Sequence, residues 1–140
     1  LPEPMVTIAK AANDKLTVAL DLTEAWDTVS PAGSLVQGCV VVRTEFAKEH
    51  PAELDGFLSE YEASIQYVSA CGENVAETIE SSGVFAKGQV AVKAIPNCNL
   101  CFVTKYEMKD AMSAFLEIMY GVAPESIGGK LPGENFYYVG

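Results

Sequence analysis

This chain is short of the residues on which most catalytic and nucleic-acid-binding machinery is built. It holds one histidine, His50, and one tryptophan, Trp26. A Ser–His or Cys–His pair needs a base within reach of its nucleophile. No G-x-S-x-G or comparable context exists to serve one, and His50 stands just before Pro51 at a helix start, a solvent-edge or capping position. Nine Lys and Arg face nineteen Asp and Glu, for a net charge of -10, and the basic residues never cluster. Phosphate backbones would be repelled, so no nucleic-acid partner is expected. No run approaches the ~18 apolar residues of a membrane span. No charged–apolar–small leader opens the chain, so any signal peptide is expected either to lie upstream of Leu1 or never to have existed.

Cysteine is sparse as well. Cys39, Cys71, Cys98 and Cys101 do not make the dense disulfide framework of a small secreted domain. Cys98 and Cys101 form one C-x-x-C, whereas a structural zinc site needs a second pair. In thioredoxin-like enzymes that motif opens a helix, whose N-terminus lowers the thiol pKa. Here Cys101 falls inside a predicted strand. The four cysteines therefore read as small buried apolar groups, and no metal or cofactor is implied. Met108, Met112 and Met119 read as core filler at helical spacing, and Gly128-Gly129-Lys130 as a turn without the upstream glycine of a phosphate loop. No catalytic residue is identified.

What the sequence does hold is apolar mass. With 140 residues and 49% apolar composition it can bury one domain-sized core. Residues 5–13 suit a short helix with Pro4 at its start. Residues 15–22 alternate with period two and residues 35–43 carry a β-branched run, both strand signals. Thr23 opens a capped helical turn. Pro51 opens a helix to about residue 70, with Leu54, Phe57, Leu58, Tyr61, Ile65 and Val68 in one inward stripe. Residues 73–81 and 86–94 suit shorter helices, with Gly72 placed for a left-handed cap. Residues 99–103 suit a short strand. Thr104 and Glu107 make a capping box before a helix with a Met108, Met112, Phe115, Leu116, Met119 stripe. Strands alternating with one-sided helices predict an α/β domain, helices packed on a mostly parallel sheet.

Three polar or aromatic positions are candidate ligand contacts. Glu3 is held between Pro2 and Pro4, so its backbone has little freedom. Gln37 starts the predicted strand 35–43, and strand ends border the crevice in open α/β lobes. Trp26 could form a stacking wall, although packing is the commoner fate of a tryptophan.

Leu1-Pro2-Glu3-Pro4, the segment Leu35-Val36-Gln37-Gly38-Cys39-Val40-Val41-Val42-Arg43, and Glu45-Phe46-Ala47-Lys48-Glu49-His50-Pro51 before the long helix carry a family resemblance. The chain resembles the extracytoplasmic solute-binding proteins of ABC transporters, in the group with nitrate-, sulfonate-, taurine- and thiamine-pyrimidine-binding members. The resemblance implies the C-terminal portion of a two-lobed, type II periplasmic-binding fold. Residues 1–33 would finish the second lobe, 34–43 would be a hinge strand, and 44–140 would complete the first lobe. It further implies a non-catalytic protein whose lobes close on a small-molecule solute and deliver it to an ABC permease. The location would be periplasmic or a cell surface, with membrane attachment only through a lipid anchor upstream. Two other classes fit the residues: a redox or metal-binding α/β protein using Cys98 and Cys101, and an α/β protein-interaction module.

Overall fold

A computed structural model describes all residues, 1–140, and it contains helices but no strand. The α-helices are α1 Met5–Ala12, α2 Leu22–Asp27, α3 Thr44–Glu49, α4 Pro51–Ser69, α5 Val75–Ser81, α6 Gly88–Ala94 and α7 Lys105–Val122. Short 3-10 turns cover Ile95–Asn97, Pro124–Ile127 and Glu134–Phe136. The expected α/β architecture is therefore overturned, and the hinge strand at 34–43 with it. Residues 16–21, 34–43 and 99–104 run without helix, turn or bend, as strands do, yet none forms a ladder with another. A β-branched run becomes a strand only when a neighbour takes up its N–H and C=O groups. In this chain no such neighbour is supplied.

The local signals are obeyed where a helix can satisfy itself. Pro51 sits in the first turn of α4, where its missing N–H is no loss. Asp21 rather than Thr23 caps α2, its Oδ1 accepting from the N–H of Thr23 at 2.8 Å and of Glu24 at 3.2 Å. Thr104 precedes α7 as expected, but its side chain makes no capping bond, so the capping box does not form. The left-handed residue after α4 is Cys71, at φ 48°, and not Gly72.

The chain divides into two compact units. The first comprises Leu1–Thr17 and Val42–Phe102, the second Val18–Val41 and Val103–Gly140. Each of the three passages from one unit to the other falls within one of the extended segments.

In the first unit α5 packs closely on α6, α1 also touches α6, and α3 and Ile95–Asn97 touch α4. Its core is small: Leu54, Val75, Ala76 and Ala94 are the buried apolar residues, with Gly88 beside them. Gly88 is needed there because a Cβ would stand 2.1 Å from the Ala76 carbonyl oxygen. Its N–H donates to Glu80 Oε1 at 2.7 Å, so one acidic side chain of α5 satisfies the start of α6. The expected inward stripe of α4 holds only in part. Leu54 is buried, but Phe57 is 50% exposed and Tyr61 37%. Those two rings instead stack on each other, nearly parallel at 5.7 Å, and Tyr61 meets the edge of Phe102.

In the second unit α7 packs against Pro124–Ile127, and no residue is fully buried. The stripe Met108, Met112, Phe115, Leu116, Met119 is partly covered throughout. Phe115 meets Trp26 of α2, ring centroids 5.7 Å apart. Lys109 of α7 hydrogen-bonds Glu134, tying the C-terminal segment to the helix. Gly128 and Gly129 both take positive φ, 81° and 78°, which forms the turn read from their sequence. No helix is long and apolar enough to cross a membrane.

Candidate functional site

The site begins at α2. Its apolar positions Leu22, Ala25 and Trp26 fall at spacings of three and four, so they share one face, and Val29 in the turn that follows the helix lies beside them. Leu35 and Gln37, from the extended segment that follows the Pro31-Ala32-Gly33-Ser34 loop, complete a cleft of about 530 Å³. Ligand clefts run to ~300–1,000 Å³, so this one has room for a small molecule. A second depression, lined by Ser69, Ile95, Pro96, Asn99 and Leu100 of the first unit, holds only about 180 Å³.

Trp26 is fixed in the cleft from two sides. Its indole N–H donates to Ser34 Oγ at 2.8 Å, and Phe115 lies against its ring. With the polar handle occupied, the ring offers a ligand only its π surface and edge. The loop that supplies Ser34 is itself tied down, since Gly33 N–H donates to Asp27 Oδ1 at 3.1 Å. Gln37 is the one polar side chain in the lining, and no residue of the chain engages its amide. No charged side chain lines the cleft.

Two of the three candidate contacts therefore share one open depression, and the third does not line it. Glu3 belongs to the first unit, where its Oε2 accepts from Thr7 N–H at 3.1 Å in the first turn of α1. That bond gives Glu3 a local structural role: it satisfies one of the orphan donors at a helix start. Sequence reasoning missed the walls of the cleft and the Ser34 hydroxyl that orients the indole. The spacing of Leu22, Ala25, Trp26 and Val29 was the available signal for the walls.

The cysteines are less buried than their apolar reading requires. Cys39 and Cys101 are exposed, Cys71 and Cys98 half-buried, and all four are free thiols. Cys98 follows the C-terminal end of the turn Ile95–Asn97, not the N-terminal end of a helix. Its thiol donates to the Ala94 carbonyl at 3.3 Å. Burial pushes its pKa up, and the nearby Glu3 carboxylate pushes it further in the same direction. A nucleophilic or metal-binding thiolate needs the opposite environment. Nowhere do three or more His, Cys, Asp or Glu side chains converge as metal ligands. His50 lies on the surface, its ring 4.9 Å from Phe46 and its Nδ1 3.5 Å from Glu53 Oε1, with no nucleophile beside it.

No family model matches the chain, and no significant match is found among curated proteins or solved structures.

Proposed function

We propose that this chain captures a small-molecule solute for an ABC-type importer, without catalysis, and that the cleft lined by Trp26 and Gln37 is where the solute sits. The observation that carries this reading is the meeting of these two side chains on one open, mostly apolar surface depression. A few polar groups in an otherwise apolar cleft are the usual arrangement for fixing a small ligand's orientation. Trp26 offers a held aromatic surface, and Gln37 an unengaged amide that can both donate and accept.

The lining also constrains the solute's charge. A free anion would find no cationic partner there, within a chain of net charge -10. The solute is therefore neutral or cationic, with a flat or apolar portion to cover Leu22, Val29 and Leu35. Capture in this form needs no sheet-based lobe, only the cleft of the second unit. Delivery to a permease is part of the same proposal, supported by the resemblance of residues 1–4, 35–43 and 45–51 alone.

Trp26 is the sole tryptophan, so its fluorescence reports on the cleft directly. Neutral aminopyrimidines, taurine and nitrate should be titrated in parallel. A neutral heteroaromatic compound is expected to change the emission saturably, and the anion nitrate is not. Gln37→Ala should weaken that binding roughly 2- to 12-fold, the worth of one hydrogen bond, and Glu3→Ala should leave it unchanged. A panel without any saturable response, or equal binding by the Gln37→Ala chain, would remove the cleft as the site.

A further inference from the structure

Glu53, Phe57, Glu60 and Tyr61 stand three and four residues apart along α4, so they share one face. Phe57 is 50% exposed and Tyr61 37%. Their rings stack on each other at 5.7 Å and 10°, and Phe102 meets Tyr61 by its edge. Two rings therefore lie side by side at the surface, with one exposed carboxylate a turn before Phe57 and another a turn after it. We propose that this face of α4 docks a basic polypeptide segment, one of whose arginines lies on the Phe57 ring between Glu53 and Glu60.

Charge on the face itself sets the sign of the occupant. From Glu45 to Glu80, nine acidic side chains accompany one lysine, Lys48, and α4 carries no Lys or Arg. Glu60 is in no ion pair, and Glu53 meets only the His50 ring, its Nδ1 3.5 Å away. The rings select arginine. A guanidinium is flat and weakly hydrated, so it can stack on an aromatic ring while its N–H fork reaches carboxylates, whereas an ammonium is a compact, strongly hydrated charge. The openness of the face selects a polypeptide over a free small cation. Neither depression of the chain includes Phe57 or Tyr61, so nothing there encloses a small ligand. Exposed cation–π and ion-pair contacts are each weak, and several must be made together. From Glu53 to Glu60 the helix rises roughly 10 Å, the span of two arginines three residues apart in an extended segment. A second copy would set these same carboxylates against each other, which is costly.

The test titrates the whole, isotope-labelled chain with the end-blocked peptide Gly-Arg-Ser-Gly-Arg-Gly and follows its amide resonances by NMR. Saturable shifts should centre on residues 53–61, with a dissociation constant of about 1 mM. Trp26, in the other unit, should keep its emission. The peptide with lysine for arginine should bind at least roughly twofold more weakly. The peptide with citrulline for arginine keeps the flat shape without the charge and should not saturate. Phe57→Leu should weaken binding roughly 2- to 5-fold. Glu53→Gln combined with Glu60→Gln should also weaken it, as should added salt, and circular dichroism checks that these variants keep their helices. The peptide series needs no change in the protein, so the proposal does not depend on the variants folding. Equal binding by the lysine or citrulline peptide would overturn it. So would the absence of saturable shifts at about 10 mM arginine peptide, or a response at Trp26 in place of α4. Shifts at residues 53–61 that rise with the chain's own concentration, without peptide, would overturn it in favour of a second copy.

Discussion

The backbone of α6 meets that of α5 at Gly88 and Ala76, so closely that a side chain at Gly88 would overlap the Ala76 carbonyl oxygen at 2.1 Å. The contact lies beside Val75, Ala76 and Ala94, which are three of the four buried apolar residues. Closeness here is what makes a core of such small side chains possible.

Gly88→Ala should consequently destabilise the first unit. The obstructing atom is backbone and cannot rotate away, so α5 and α6 must separate, at about 1–3 kcal/mol. Urea unfolding followed by circular dichroism measures this. A loss below about 0.5 kcal/mol would mean that the helices are not in contact as described.

Along α4 the two aromatic and aliphatic positions should behave differently. Leu54→Ala removes a buried side chain, 5% exposed, and should cost about 2–5 kcal/mol. Phe57→Ala removes a ring that is half in water and should cost less than about 1.5 kcal/mol, the worth of its stacking on Tyr61. Equal losses at both positions would contradict the exposure of Phe57.

Ser34→Ala should release the indole of Trp26. The hydrogen bond is partly buried, so its loss should cost about 0.5–1.5 kcal/mol. The sole tryptophan gives a second readout: its emission maximum and quenching by acrylamide should both change. Unchanged emission would show that the hydroxyl does not position the ring.

Cys98 should be the slow thiol. Cys39 and Cys101 are exposed, while burial and the Glu3 charge raise the Cys98 pKa above its ordinary value of 9.0. Thiol alkylation at mildly alkaline pH should therefore modify Cys39 and Cys101 first. Glu3→Gln removes the second cause, so the pH at which Cys98 reacts should fall. The linkage has a definite sign. The folded chain holds this proton more tightly than the unfolded chain, so the contribution to stability is full below pH 9.0 and is lost as pH rises through the folded pKa. If Cys98 reacts as fast as Cys101, the thiol's environment is misassigned.

Most of the helices were legible in the sequence, although nothing there marked out α3, Thr44–Glu49. Met5–Ala12, Pro51–Ser69, Val75–Ser81, Gly88–Ala94 and Lys105–Val122 all lie within a residue or two of the segments that periodicity, Pro51 and Thr104 mark out. The reason is locality, because an α-helix satisfies its peptide groups within four residues and its signals are written within one turn of them. The turn at Gly128 and Gly129 was legible for the same reason.

Tertiary structure decided everything that depends on a distant partner. Residues 15–22, 35–43 and 99–103 carry strand patterns, but a strand exists only against another strand, and no part of this chain provides one. The α/β expectation failed at that step. The stripe on α4 showed which residues share a face, but not that Leu54 alone would be fully covered while Phe57 met water. Cys98 and Cys101 are three apart in sequence, yet their exposure and the Glu3 charge beside Cys98 come from the fold. The candidate contacts divide along the same line. Trp26 and Gln37 were picked singly, as a lone aromatic and a strand-end amide. Only the return of the chain through the loop at Ser34 brings them to one cleft. Glu3, fixed between prolines, is claimed by the nearest unsatisfied donor, the Thr7 N–H, because a short-range hydrogen bond forms at little further loss of chain entropy.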